Sequence, residues 1–343
     1  MKNIQQRRNS GLLLGLFAAV GYSCANLALR SVSAPNDPAW AMWVSCNKAV
    51  PVFFVAWILI GIGVKRGRPD ALPPRTLLLP MIVAALVMQF GGNVMFQWAL
   101  GLGGLVLCVP MLFATLIITG AIAGQVFLND RLTPRTSAAL LLLIVAVVVL
   151  SIGASAATGR VMQDTSFTAV ASACVISAIA GIAYGANGVF IRHLTAVRQL
   201  PIATSLVMYS TVGVATLGLG SLLFLGADRM LATTQQQWTS FYIAGGCNAV
   251  AFFALGAAFR RATVNQVNLV NASQNAMCAL GGILFFAEPV TIWLEIGCGL
   301  TIIGILMIDN KRQQPTDSTA DIPDPMQPNE SKQNESRPQR VRV

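Results

Sequence analysis

Charged residues are scarce in this chain of 343 residues: they make up 10% of it, whereas an ordinary soluble domain carries about 25%. Hydrophobic residues make up 55%, and the mean hydropathy is +0.65. So few charges cannot cover the surfaces of soluble domains of this total length. The composition excludes a soluble protein, and we expect the apolar side chains to face lipid.

Residues that bind metals or nucleotides are also scarce. The chain has one histidine, His193, and its seven cysteines lie within apolar stretches without a Cys-x-x-Cys spacing. This pattern supports neither a zinc site nor a disulfide framework. No segment matches the phosphate-binding pattern GxxxxGK[ST], which argues against direct use of ATP. We expect no cofactor and no metal ion.

Basic residues are in excess: 23 Lys and Arg against 13 Asp and Glu give a net charge of +10. They form no basic stripe with interleaved aromatic residues, so nucleic acid is not a predicted partner. The distribution of the Lys and Arg residues instead indicates how the chain is oriented in the membrane.

Ten apolar runs are long enough to cross a bilayer, which takes about 20 residues. The chain is thus predicted to be an all-α integral membrane protein with a short cytoplasmic N-terminus (1–10) and a disordered cytoplasmic tail (310–343). The predicted spans are 11–30, 39–63, 77–99, 103–127, 137–154, 168–190, 202–225, 239–259, 264–286 and 290–308.

Lys and Arg fall mainly on one side of this ten-span arrangement. Without the tail and the intramembrane Lys48, 13 lie on the side of the N-terminus and 3 on the other. Cytoplasmic loops carry the excess of positive charge. We therefore expect both termini in the cytoplasm and a location in the plasma or inner membrane.

An internal repeat divides the spans into two sets of five, 11–154 and 155–309. The segment from Asn93 to Gly101 matches that from Asn248 to Gly256, and Tyr22 and Tyr184 are each followed eight residues later by an arginine. Because five is odd, the second set enters the membrane inverted. Two inverted repeats are the architecture of secondary transporters.

Two hairpins carry a family resemblance. Phe127-Leu-Asn-Asp130-Arg-Leu-Thr-Pro and Phe285-Phe-Ala-Glu288-Pro-Val-Thr, each before a helix rich in small residues, resemble the signature of EamA-type members of the drug/metabolite transporter superfamily. The likeness spans about residues 11–309. It implies ten helices in two inverted repeats and export of small metabolites. Where the family commonly has an arginine in the second helix, this chain has Lys48.

Lys48 and Glu295 are the ionisable side chains well inside apolar runs. A charge at such a depth costs roughly 2.5–3.5 kcal/mol on insertion scales, so Lys48 must face the protein interior or water. It either contacts substrate or serves as a structural cation. Glu295 is a candidate for ion coupling, or else an interfacial carboxylate.

Amide and tyrosine side chains complete the predicted substrate site. Asn268, Asn271 and Asn275 recur at spacings of three and four, so they share one helix face. Such a face either lines a cavity or bonds to other helices, because lipid cannot satisfy amides. The other candidates are Asn93 and Gln97 in the third span, Tyr22 in the first and Tyr184 in the sixth.

These features predict a secondary transporter, not an enzyme, that moves a small polar metabolite such as an amino acid outward by alternating access. A non-transporting receptor or scaffold and an intramembrane enzyme are the alternatives. The expected partners are the lipid bilayer and a small-molecule substrate. Whether the protein forms a homodimer is left open by the sequence.

Overall fold

The computed structural model describes residues 2–34, 37–130, 134–161, 167–286 and 292–307. All of the described residues belong to one compact unit. The predicted tail (310–343) and Glu288 lie outside the described residues.

The described residues form helices and no strand. Most are α-helices, and the segments Val87–Val94 and His193–Val197 are π-helical. The α-helices are α1 (Lys2–Ser31), α2 (Pro38–Lys65), α3 (Arg75–Leu86), α4 (Met95–Leu128), α5 (Pro134–Val161), α6 (Phe167–Arg192), α7 (Ile202–Phe224), α8 (Ala227–Leu231), α9 (Gln235–Phe259), α10 (Val264–Asn271), α11 (Gln274–Phe286) and α12 (Ile292–Leu306).

Seven helical runs among the described residues are long and apolar enough to cross a membrane. The prediction of an all-helical, multi-pass membrane protein is confirmed at this level. Helix α1 begins at Lys2, nine residues before the predicted first span. The runs are Gln6–Ser31, Pro38–Lys65, Arg75–Leu128, Ala171–Val197, Ile202–Phe224, Gln235–Phe259 and Val264–Phe286.

The longest run, Arg75–Leu128, is broken at Gly104. This glycine has φ 70° and ψ −174°, a backbone conformation that residues other than glycine rarely adopt. The thiol of Cys108 lies 3.1 Å from the carbonyl oxygen of Ala99. In an unbroken helix, nine residues would separate the two by about 13 Å. The chain therefore turns back at Gly104, close to the predicted boundary between the third and fourth spans.

Small residues let α6 approach α4 closely. A methyl group on Gly185 would lie 2.7 Å from the carbonyl oxygen of Leu116, and one on Gly181 would overlap Thr115. Close helix approach through small residues is usual in membrane proteins, where dispersion contacts drive association. The contact places the polar residues of α6 beside the core of the bundle.

Candidate functional site

A cavity of about 110 Å³ lies between the helices. This is several times the volume, roughly 10–15 Å³ in the same measure, that one water molecule needs. Its walls come from α1, α2, α4, α6, α7, α9, α10 and α11 and from the π-helical segment Val87–Val94. Because residues from both ends of the chain line it, the cavity exists only in the folded bundle.

A lysine anchors a hydrogen-bond network on one wall. The Nζ of Lys48 donates to Oδ1 of Asn93 at 2.6 Å, and the hydroxyl of Tyr184 donates to the same oxygen at 2.7 Å. The Nδ2 of Asn93 donates to Oε1 of Gln89 at 2.7 Å, and Nε2 of Gln89 donates to the carbonyl oxygen of Tyr209 at 2.6 Å. The network ties α2, α6 and α7 to the π-helical segment.

Gln89 and Asn93 lie on the π-helical segment Val87–Val94, a kind of helix that often marks functional sites. Helical residues four apart share a face, and the two amides bond directly. Both side chains are buried and line the cavity.

A second group of cavity-lining amides comes from α1, α10 and α11. The Nδ2 of Asn26 lies 3.4 Å from Oε1 of Gln274, and Nε2 of Gln274 donates to Oδ1 of Asn271 at 2.7 Å. Asn268 lines the cavity beside them, and its Nδ2 has no hydrogen-bond partner among the described residues. This group is neutral and rich in donors and acceptors.

A tight turn between α10 and α11 selects which amides face the cavity. The backbone N–H of Asn275 bonds to the carbonyl oxygen of Ala272, three residues back instead of four. In such a turn residues three apart eclipse one another. Gln274 therefore lies over Asn271 and lines the cavity, whereas Asn275 is buried outside the lining.

The charge of the cavity is unbalanced. The lining contains Lys48 and no Asp or Glu among the described residues. The two ion pairs in the described part of the chain, Arg192 with Asp130 and Arg229 with Asp37, do not involve Lys48. Lys48 is 7% exposed, so its cation is shielded from solvent without a carboxylate beside it.

The sequence-predicted site residues separate into two groups. Those that line the cavity are Tyr22, Lys48, Asn93, Tyr184, Asn268 and Asn271. Those outside the lining are Gln97, Asn275 and Glu295. Gln97 donates instead to Ser33 at 2.9 Å beyond the end of α1, and Glu295 is exposed on α12.

Several lining residues lie outside the set predicted above as the substrate site. Asn26 and Asn187 follow Tyr22 and Tyr184 at spacings of four and three, so the sequence places each amide on the same helix face as its tyrosine. Tyr209 carries no such signal, because it is an isolated tyrosine in an apolar span. The polar lining residues outside the predicted set are Asn26, Gln89, Asn187, Tyr209, Ser210, Asn248 and Gln274.

Asp130, in the first hairpin, joins distant segments at one end of the bundle. Its Oδ1 pairs with Arg192 at 3.0 Å, and its Oδ2 accepts the backbone N–H of Val264 at 3.2 Å. A carboxylate at the N-terminus of a helix is stabilised by the free N–H groups there. The arginine also donates to the carbonyl oxygen of Ala262. Asp130 therefore fastens the end of α4 to α6 and α10.

Within the described ranges, no group of three or more His, Cys, Asp or Glu side chains is placed to hold an ion. The cavity offers one cation, several amides and aromatic or aliphatic walls. Such a lining can bind a small molecule through charge, hydrogen bonds and apolar contact.

No family model and no curated protein matches this chain. Among the solved structures that match, one described only as "Crystal structure of protein" superimposes with a TM-score of 0.63. It is 18% identical in sequence, and the match covers 88% of this chain and 96% of that chain. At this identity the likeness shows a shared fold and carries no information about function.

Proposed function

We propose that this protein is a secondary transporter that moves a small polar metabolite across the membrane by alternating access. The observation that carries the proposal is the buried cavity with its single lysine. Membrane proteins bury an ionisable group at such depth mainly where it serves a transport pathway or ligand site. Lys48 and Asn93 come from the first half of the chain, and Tyr184 and Asn271 from the second.

The pairing of helices supports an architecture of two inverted five-helix repeats. Helix α1 packs against α9, α10 and α11, and α6 packs against the π-helical segment and α4. Helix α2 packs against α7, and α5 against α12. A two-fold axis that exchanges the halves maps the contacts of α1 onto those of α6, and it maps the α2–α7 and α5–α12 contacts onto themselves. Transporters of this kind bind substrate near the midplane, between the repeats.

The first helices of the two proposed repeats make similar contributions to the cavity. Tyr22 and Asn26 from α1 line it, as do Tyr184 and Asn187 from α6. The excess of Lys and Arg on one side favours cytoplasmic termini. With the hairpin resemblance, these features favour an exporter of the EamA type in the plasma or inner membrane.

A comparison of exported metabolites tests the transport function. Cells that produce the full chain are expected to accumulate one or a few small solutes outside, relative to cells without it. Lys48→Gln should abolish that difference at equal membrane abundance, whereas Lys65→Gln, at the exposed end of the same helix, should preserve it. If no solute differs between producing and non-producing cells, the transport proposal is wrong.

Alternating access has a separate test. In a variant with the native cysteines replaced by serine, Asn187→Cys places a thiol at the cavity wall. Membrane-impermeant thiol reagents should modify it in both right-side-out and inverted vesicles. Modification from one side alone, under all ligand conditions, would favour a one-sided receptor pocket over a transporter.

A further inference from the structure

The uncompensated cation in the cavity constrains what the cavity binds. Lys48 donates one hydrogen bond, to Asn93, although an ammonium group has three donors. Among the described residues, Nζ has neither a second acceptor nor a carboxylate partner within bonding distance. The acceptor oxygen of Asn93 is already shared with the hydroxyl of Tyr184. Two donors of Lys48 therefore remain for a ligand.

Burial makes this arrangement costly without a ligand. A buried ammonium group either is paired and hydrogen-bonded or gives up its proton, and an anionic ligand favours the protonated form. The neutral amide oxygen of Asn93 satisfies one donor and leaves the net charge unbalanced. A ligand that brings one negative charge to Nζ removes the imbalance, and a neutral ligand does not.

The remainder of the lining restricts the ligand further. Apolar side chains such as Phe96, Phe113 and Phe252 form much of the wall. The polar groups there are neutral, and the described lining has no carboxylate that could balance an ammonium group. A zwitterion would neutralise Lys48 but leave its own cation without a partner, and a phosphate dianion would bring more negative charge than one lysine offsets.

We infer that the substrate is a small organic monoanion whose single carboxylate binds Nζ of Lys48. This inference rests on the proposed transport function and names its substrate class. The apolar part of the ligand packs on the aromatic wall. Asn268 and Tyr209 also line the cavity, and the Nδ2 of the first and the hydroxyl of the second have no hydrogen-bond partner among the described residues. A free amino acid, the class expected from the sequence, fits this lining less well.

Matched compounds test the inference with the purified full-length protein in lipid nanodiscs. One series consists of butanoate, butanamide, butylamine and 2-aminobutanoate. A second consists of 4-methylpentanoate, 4-methylpentanamide, 4-methylpentylamine and leucine. Affinities come from the rise in the unfolding midpoint with ligand concentration. Each carboxylate should bind about tenfold or more tightly than its amide, amine and amino acid, the factor expected of a hydrogen bond to a charged group.

Lysine variants show whether Lys48 is responsible. Lys48→Gln should remove the preference for the carboxylate, Lys48→Arg should keep it, and Lys65→Gln should leave it unchanged. If Lys48→Gln does not fold, the comparison of compounds on the unaltered protein still decides the matter. The inference is wrong if the amino acids or amines bind as tightly as the carboxylates or more tightly, or if none of the compounds binds. It is also wrong if Lys48→Gln still prefers the carboxylates.

The results that would reject the monoanion substrate differ from those that would reject the transport function. A solute exported in the metabolite comparison that is zwitterionic or cationic would leave the transporter standing and reject the monoanion. Absence of any exported solute, with carboxylate binding intact, would reject transport and leave a carboxylate-binding membrane protein.

Discussion

Replacing Asn93 by aspartate should supply from within the protein the negative charge that Lys48 lacks. The two side chains have nearly the same shape, and the aspartate can still accept from both Lys48 and Tyr184. We therefore expect Asn93→Asp to fold and insert, but to lose binding of the monocarboxylate that stabilises the unaltered protein most.

The magnitude follows from the geometry. At the 2.6 Å separation of Nζ and Oδ1, an effective dielectric constant of about 20 gives an attraction of about 6 kcal/mol. Burying a carboxylate costs several kcal/mol, and loss of the bond from Nδ2 to Gln89 costs about 1 kcal/mol. These contributions nearly cancel, so the free energy of unfolding should change by less than about 2 kcal/mol. Asn93→Ala, in contrast, leaves a charged donor without its acceptor and should destabilise by about 2–4 kcal/mol.

Ligand binding should respond much more strongly. A bound carboxylate would now lie close to a second carboxylate, and two like charges 4 Å apart repel by about 4 kcal/mol at the same dielectric constant. We expect the dissociation constant to rise by about 100-fold or more, which corresponds to about 2.7 kcal/mol. Calorimetric titration measures it directly, and thermal unfolding measures stability on the same samples.

The matched control is Asn248→Asp, the same substitution at another cavity-lining amide for which no bond to Lys48 is found. Its effect on the dissociation constant should be smaller. The reasoning would be refuted if Asn93→Asp bound the monocarboxylate within about tenfold of the unaltered protein, or if it were as unstable as Asn93→Ala.

Two further predictions concern the walls of the cavity. Gly213→Ala would place a methyl group 2.5 Å from Nε2 of Gln89 and should destabilise by about 1–3 kcal/mol in thermal unfolding. In Gly218→Ala the added methyl group lies at an ordinary contact distance of 3.5 Å from Sγ of Cys46, so this variant should lose less stability. An equal loss of stability in both variants would rule out the steric explanation. Asn271→Cys should react with water-soluble thiol reagents and be protected by bound carboxylate, whereas Asn275→Cys should stay unreactive. The reverse order of reactivity would show that the tight turn before α11 does not set the cavity face.

Tyr22, Lys48 and Tyr184 lie in the cavity lining, away from lipid, as the sequence led us to expect of polar groups inside apolar helices. Their role in substrate binding stays a prediction. Asn275 was misplaced because its predicted face assumed an unbroken helix through Ala272. One turn in which the backbone N–H bonds to the carbonyl three residues earlier, instead of four, changes the direction in which all later side chains point. The spacing of polar residues in the sequence does not reveal such a turn.

The sequence by itself determined that this is a helical membrane protein, since 10% charged residues and long apolar runs leave no other stable arrangement. It also marked Lys48 as a residue that must face inward. Only the tertiary structure decided what surrounds it. Asn93, Tyr184 and Asn271 come from distant parts of the chain, and the absence of a carboxylate from the described lining depends on distances between helices. Charge balance is a property of the assembled cavity, so the proposed preference for a monoanion could come only from the fold.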